Sequence, residues 1–245
     1  MRNAILTAFV LASCGVLAGS AVGQTPMSFN AGFAVFSNYT WRGYQVQDAA
    51  SLQPHAQVSW PNQGFSLSLF SALAVQDRDT YEDLDKVELA VAYAHQFATQ
   101  VPMNVNVGFL YHDFPRIDSD NANTTEIFAS AGWESIAKPT LKVYFDVDAT
   151  EALYINPSIG HAFKLDQNGQ YALNLQLGAG LTDKLLNTDG EEGFGLQDVQ
   201  ALASVDFKIG GNGVVRPTIG FNHAAETVYA DENLFWGGAS LDWTW

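Results

Sequence analysis

The sequence predicts an all-β protein, a single transmembrane antiparallel β-barrel of about twelve strands. Three observations predict it. Apolar residues alternate with small or polar residues along most of the chain after residue 27, connections alternate between short turns and longer loops, and aromatic residues gather near the ends of the alternating segments. Most segments have about 9–13 residues, enough for a tilted strand to cross a bilayer.

Composition excludes several other classes. Of the 245 residues, 47% are hydrophobic, 13% aromatic and 15% charged, and the formal net charge is −15. An acidic chain lacks the basic surface that displaces phosphate counterions, so nucleic acid is not expected as a partner. The aromatic content argues against disorder. Beyond residue 23, no apolar run approaches the roughly 18–20 residues of a membrane-spanning helix.

Residues 1–23 are predicted to be a secretory signal peptide, followed by a barrel over residues 24–245. Arg2 is the positive start, Ala4–Leu17 the apolar core, and Ala21–Gly23 the small-residue cleavage site. Cys14 follows a segment that loosely resembles a lipobox, so lipidation of Cys14 stays open as an alternative. Cleavage after Gly23 would leave a chain without cysteine, and therefore without disulfides or thiolate chemistry.

Each predicted strand has a period of two, which is typical of one lipid-facing and one water-facing side. One clear run is Tyr171, Leu173, Leu175, Leu177, Ala179 and Leu181, with polar or small residues between. The predicted segments are 28–42, 52–60, 65–76, 86–97, 103–112, 125–134, 140–148, 153–164, 171–181, 197–209, 214–223 and 234–245.

The connections also follow a pattern. Short turns are predicted at 61–64, 98–102, 135–139, 165–170 and 210–213, all with turn-forming residues. Longer, mostly acidic loops are predicted at 44–51, 77–85, 113–124, 182–196 and 224–233, with 149–152 as a short exception. Outer-membrane barrels have short periplasmic turns and long outer loops, so both termini are expected in the periplasm. The loop 182–196 is the longest and therefore the candidate to fold inward.

Aromatic residues are expected to form two interfacial belts. Beside the short turns these are Phe29, Trp60, Phe65, Phe97, Trp133, Phe163, Tyr171, Phe207, Trp243 and Trp245; beside the long loops they are Tyr39, Trp41, Tyr111, Phe221 and Phe235. A soluble β-sandwich is the alternative, but it would concentrate its rings in mid-strand.

The last strand carries an assembly feature. Apolar residues from Phe235 to Trp245 share one face, and the chain ends on Trp245. This ending resembles the assembly signal of bacterial outer-membrane proteins. It predicts the barrel-assembly machinery as a partner, together with outer-membrane lipid and lipopolysaccharide.

Residues Ser37-Asn38-Tyr39-Thr40-Trp41-Arg42-Gly43, followed by Gln45, Gln47, Asp48 and Pro54, resemble the opening of the TorF-like family of proteobacterial porin-like proteins. The resemblance implies an outer-membrane barrel of undefined substrate, with no catalytic residues and no cofactor. Arg42 is expected on the inward face near the outer rim. There it is either a clamp that pairs with loop carboxylates or a selectivity residue. Gly43 would permit a tight bend.

The polar faces predict a charged lumen. The predicted pore-lining residues are Arg42, Lys86, Glu88, His112, Glu126, Glu134, Lys142, Asp146, Asp148, Asp198, Asp206, Lys208 and Arg216. A slight acidic excess favours a narrow channel for passive diffusion of small polar or cationic solutes. Alternatively, the charges pair and plug the lumen. Twelve strands lie between the filled eight-stranded barrels and the open barrels of about 16–18 strands.

Other functions remain as alternatives. A non-conducting surface barrel, adhesive or structural, would use the long loops for recognition. A barrel lipid hydrolase would need serine and histidine within hydrogen-bond reach, and no such pair occurs at matching height and face, so no enzyme is predicted. The acidic segments 77–85 and 189–192 could attract divalent cations, but neither matches an EF-hand loop, so no specific metal site is predicted.

Overall fold

The computed structural model describes residues 27–81, 85–115, 123–186, 192–224 and 233–245. The predicted signal peptide and Cys14 lie outside these ranges. The described part of the chain contains fourteen strands and a single helical turn, Arg78–Tyr81. Within those ranges, no helix has both the length and the apolar character that a membrane crossing requires.

Twelve of the strands close into one antiparallel barrel, which confirms the predicted fold. They are β1 (Ser28–Phe36), β4 (Ser51–Trp60), β5 (Phe65–Ala74), β6 (Lys86–Phe97), β7 (Met103–Asp113), β8 (Thr124–Trp133), β9 (Thr140–Asp146), β10 (Leu153–Lys164), β11 (Tyr171–Leu186), β12 (Glu192–Ile209), β13 (Gly213–Ala224) and β14 (Asn233–Thr244). Each strand from β4 onward pairs with the next one along the chain. The first and last strands close the barrel, with Asn30 opposite Thr244 and Phe36 opposite Gly238.

The alternation separates an apolar outer face from a polar lumen. Large apolar side chains such as Phe33, Leu177 and Ile219 are 45%, 55% and 67% exposed on the outside. Lys86 and His112 are buried inside. A soluble protein rarely exposes so much apolar surface, so this band is the lipid-facing surface of a membrane barrel, and the sandwich alternative is wrong.

The two remaining strands, β2 (Tyr39–Trp41) and β3 (Tyr44–Gln47), pair only with each other. The predicted first strand, 28–42, is therefore too long. It ends at Phe36, which lies opposite Ser51 of β4. Residues 37–50 leave the wall between these two strands. We call this segment, which contains β2 and β3, the inner hairpin; it contacts the lumenal side of the barrel.

The turn of the inner hairpin explains its arginine–glycine sequence. Trp41 pairs with Tyr44, so Arg42 and Gly43 form a two-residue turn. Their φ angles are 51° and 83°, and a turn with two positive φ angles matches the twist of the flanking strands. The tight bend expected at Gly43 is confirmed.

The loop predicted to fold inward does not do so in its described parts. Residues 182–186 and 192–196 continue β11 and β12, with Thr182 opposite Gly195 and Leu185 opposite Gly193. These strands have 16 and 18 residues, whereas β9 has seven. In the part of the chain that the structure describes, residues 37–50 supply the inward segment, because Arg42 in their turn contacts Glu126 and Gln197 on the lumenal wall.

Candidate functional site: a constriction formed by the inner hairpin

Arg42, at the tip of the inner hairpin, forms an ion pair with the opposite wall. Its guanidinium Nη2 donates to Glu126 Oε2 on β8 at 2.5 Å. The Glu126 side chain is 1% exposed and that of Arg42 is 15% exposed. Arg42 pairs with a carboxylate, as a clamp would, but the partner belongs to the barrel wall and not to a loop.

Three aromatic rings surround the same guanidinium. Its central carbon lies 4.5 Å from the ring centroid of Trp41, and 4.8 Å from those of Tyr144 and Tyr154. Tyr144 is on β9 and Tyr154 is on β10. These distances are typical of cation–π contacts. Trp41 was expected in an outer aromatic belt, as was Tyr39; both belong to the hairpin, and Tyr39 is buried against Phe70.

Further charges from β6 and β7 complete this layer of the lumen. Lys86 Nζ lies 3.2 Å from Glu88 Oε2 and 4.5 Å from the ring centroid of Trp41. His112 lies between the two acids, with Nδ1 3.3 Å from Glu88 and Nε2 3.1 Å from Glu126. Two cations, Arg42 and Lys86, thus face two carboxylates, so the layer is close to neutral when His112 is uncharged.

The backbone of the hairpin tip is held by β12. Gln197 Nε2 donates to the Arg42 carbonyl oxygen at 2.7 Å. A Cβ atom on Gly43 would lie 2.3 Å from Asp198 Cβ, so only glycine fits there. Asp198 is itself buried and accepts hydrogen bonds from Tyr154 Oη at 2.9 Å and Gln200 Nε2 at 2.6 Å. Asp198 therefore supports the tip rather than facing an open pore.

A lumenal cavity of about 380 Å³ adjoins the inner hairpin. Its lining combines amides, hydroxyls and charges, and includes Gln57, Asn106, Lys142, Asn156 and Gln200. Lys142, another of the predicted pore-lining residues, also lines this cavity but is not part of the charged group around Arg42. Polar lining of this kind suits water and small solutes.

A second group of charged side chains lies nearer the short turns. Arg216 Nε donates to Asp206 Oδ1 at 2.5 Å, and Arg216 Nη1 lies 3.5 Å from Asp242 Oδ2. His55 Nε2 lies 2.7 Å from Asp242 Oδ1. The sequence prediction omitted His55 and Asp242. Both lie on the polar side of their strands' alternation, so the period of two could have identified them.

This second group is not arranged for serine hydrolysis. Ser240 donates its hydroxyl to Asp242 Oδ2 at 3.1 Å. In a hydrolytic relay the histidine must accept the serine proton, whereas here Asp242 lies between Ser240 and His55. With Asp242 between the serine and the histidine, this group forms an ion-pair network and cannot activate Ser240 as a nucleophile.

Four predicted pore-lining residues lie at the ends of the barrel instead of along its wall. Asp146 ends β9 and accepts hydrogen bonds from Thr124 Oγ1, Thr150 Oγ1 and the backbone amides of Asp148 and Ala149. It holds the β9–β10 turn, in which Asp148 is exposed. The predicted strand 140–148 is thus too long, because this side-chain cap stops it at Asp146.

Glu134 and Lys208 are at the short-turn end. Glu134 follows β8, is exposed, and accepts a hydrogen bond from Asn104 Nδ2 at 2.9 Å. Lys208 is exposed near the end of β12. Both therefore lie at a mouth of the barrel and not in its narrow part.

The acidic segments suggested for divalent cations are only partly described. Glu82, Asp83 and residues 189–191 lie outside the described ranges. Asp85 Oδ2 lies 2.9 Å from Arg78 Nη1, and Asp85 Oδ1 accepts a hydrogen bond from the Ala74 amide. Among the residues that the structure describes, no group of three or more acidic, histidine or cysteine side chains is placed to hold a metal ion.

Comparison with known families identifies the chain's relatives. The profile of a bacterial family of unknown function, Gcw_chp, matches residues 20–234. The chain belongs to this family. No curated protein matches the Gcw_chp chain. The match covers the inner hairpin and all the barrel strands up to the start of β14.

Solved structures share the fold of the Gcw_chp chain. The COG4313 outer-membrane channel from Pseudomonas putida F1 has 10% identity and a TM-score of 0.53, covering 94% of this chain and 98% of its own. The KdgM porin has 10% identity and a TM-score of 0.53, covering 88% and 98%. KdgM in complex with disordered oligogalacturonate has 11% identity and a TM-score of 0.52, also covering 88% and 98%. The closed barrel and its apolar band place the Gcw_chp chain in the bacterial outer membrane, with a fold found in channels and porins.

Proposed function

We propose that this protein is a narrow outer-membrane channel for passive diffusion of small polar solutes, including small cations, and that the inner hairpin sets its width. The observation that carries the proposal is the polar cavity of about 380 Å³ beside the hairpin, inside a closed barrel. Porin-type neighbours with the same fold support a channel over an enzyme. The motif Ser37–Gly43 supports the finer relationship to the TorF-like proteins.

A weak preference for cations is part of this proposal. In the constriction the carboxylate-bearing side chain of Glu88 is 25% exposed, whereas that of Lys86 is 2% exposed. An accessible carboxylate beside a buried ammonium favours cations. Arg42 and Lys142 also reach the cavity, so the discrimination between charges is expected to be small.

A non-conducting surface barrel is the second candidate. The inner hairpin crosses into the lumen and its charges are paired, and a plug would have the same features. The two candidates differ in whether ions pass when the protein is correctly folded. For partners, we propose lipopolysaccharide, divalent cations at the acidic loops, and the assembly machinery acting on the strand that ends at Trp245.

The structure permits a clean removal of the inner hairpin. Phe36 and Ser51 lie directly opposite each other on paired strands. An Asn-Gly turn can therefore replace residues 37–50 without changing the barrel register. The matched control replaces residues 183–194 by Asn-Gly between Thr182 and Gly195, which are also opposite each other.

Unitary conductance in planar bilayers tests the proposal, with heat-modifiable mobility on gels as the check of folding. We expect small conductance steps from the wild type, severalfold larger steps without the inner hairpin, and wild-type steps from the control. Folded wild-type and hairpin-free proteins that both give no steps would overturn the channel and favour the surface barrel.

A further inference from the structure

We propose that the lumenal wall opposite the hairpin tip is a binding site for guanidinium cations, which Arg42 fills from within the same chain. The site consists of Glu126, Tyr144 and Tyr154, from β8, β9 and β10. The inference rests on the proposed channel in one respect, because solutes would reach the site through the lumen.

The wall provides the two interactions that a guanidinium group uses best. Glu126 supplies a carboxylate at 2.5 Å from a guanidinium nitrogen. Tyr144 and Tyr154 supply two ring faces, each 4.8 Å from the guanidinium carbon. Guanidinium is planar and more weakly hydrated than ammonium, so it gains more from ring faces and a carboxylate together.

The burial of Glu126 makes an empty site unfavourable. Its side chain is 1% exposed, and a buried carboxylate that loses its cation is strongly destabilising. His112 is close to Glu126 but is shared with Glu88. The Glu126 carboxylate therefore favours binding of another cation whenever Arg42 leaves.

Arg42 is a tethered occupant, and this determines how solutes can act. Its attachment to a short hairpin gives it a high effective concentration, on the order of millimolar for flexible links. Free guanidinium solutes below that level leave the hairpin docked. Above it, a solute that carries a guanidinium group displaces the Arg42 side chain from Glu126, while Gln197 and Asp198 still hold the backbone of the hairpin tip.

The test empties the site and offers methylguanidinium as the probe. Arg42→Gly removes the side chain without backbone strain, because residue 42 has a φ of 51°. The hairpin-free barrel empties the same site by a second route and serves if Arg42→Gly does not fold. The double variant Arg42→Gly/Glu126→Gln removes the charge of the wall. Lys142→Ala is the matched control, because Lys142 makes no ion pair among the described residues, so its removal leaves no carboxylate vacant.

Binding is measured by calorimetry on the folded protein in detergent, with sodium chloride at equal ionic strength as the reference. We expect methylguanidinium to bind Arg42→Gly and the hairpin-free barrel. We expect affinity about tenfold or more weaker for the Glu126→Gln double variant, since a hydrogen bond to a charged group is lost. Wild type and Lys142→Ala should not respond at probe concentrations well below millimolar, where Arg42 keeps the site filled.

The readouts separate the two proposals. In bilayers, methylguanidinium should reduce the current of Arg42→Gly and leave that of the wild type unchanged. Binding without any conductance would overturn the channel and leave the guanidinium site standing. Equal binding by Arg42→Gly and its Glu126→Gln double variant, or no binding by either emptied form, would overturn the site even if the channel conducts.

Discussion

Replacing Gly43 with alanine should release the inner hairpin from the wall. A Cβ atom at this position would lie 2.3 Å from Asp198 Cβ and 2.9 Å from Asp198 Cγ. Both atoms belong to a side chain whose carboxylate is held by Tyr154 and Gln200. Asp198 cannot retreat without breaking those hydrogen bonds, so the hairpin tip must move instead.

The free-energy cost of Gly43→Ala has a backbone part and a steric part, which a control variant can separate. A positive φ costs a non-glycine residue about 1–2 kcal/mol, and Gly43 has a φ of 83°. Forcing an extra methyl group into a packed site adds about 1–3 kcal/mol. Gly211 has a φ of 80° and no atom within 4 Å of its Cβ position. Gly211→Ala therefore carries only the first cost.

The steric part acts on docking of the inner hairpin. About 1–3 kcal/mol lowers the ratio of docked to undocked hairpin by about 5- to 150-fold. Trypsin reports the undocked state, because it cleaves after Arg42, whose side chain is 15% exposed when docked. We expect faster cleavage after Arg42 and larger conductance steps in Gly43→Ala, but not in Gly211→Ala. If both variants cleave at the wild-type rate, packing of Gly43 on Asp198 does not hold the hairpin.

Two further substitutions test the barrel itself. Leu177→Arg places a charge on the outer face, where Leu177 is 55% exposed, and should lower the free energy of unfolding in urea by about 2–4 kcal/mol. The control Gln176→Arg, one residue away on the lumenal side, should lower it clearly less. Equal losses of stability would contradict the assigned faces. Trp245→Ala removes a ring 5.3 Å from Phe29, a contact worth about 0.5–1.5 kcal/mol, while the backbone hydrogen bonds between the two residues remain. The heat-modifiable fraction of this variant should fall, and an unchanged fraction would show that the terminal ring is dispensable.

The barrel could be predicted because lipid imposes a rule on every second residue. Runs such as Tyr171–Leu181 keep apolar side chains outside, and each strand must repeat that choice to stay in the membrane. The same rule located Lys86, Glu88, His112 and Glu126 on the lumenal side. Which of these side chains meet could not be derived, since pairing between strands depends on the register and on the tilt around the barrel.

The inner hairpin could not be predicted because local alternation continues through it. Tyr39 and Trp41 continue the apolar series of β1, so the period alone extends that strand to residue 42. The turn inward is decided by Glu126 and Gln197, which are 84 and 155 residues away from Arg42. For Asp146 the alternation gave the opposite error. Its position in the pattern is that of a pore-lining residue of the wall, but its carboxylate caps a turn.

The distant partners of the inner hairpin also order the events of folding. Contacts across 84 and 155 residues form only after long stretches of chain have been brought together. The inner hairpin follows β1 immediately in the chain, yet its tip cannot make all of its contacts until β12 is in place. Trp41 can meet Lys86 and His112 once β6 and β7 are in place, whereas the Arg42 backbone gains Gln197 only with β12. We therefore expect full docking of the hairpin tip to be a late event of folding, and protection of Arg42 from trypsin would time it.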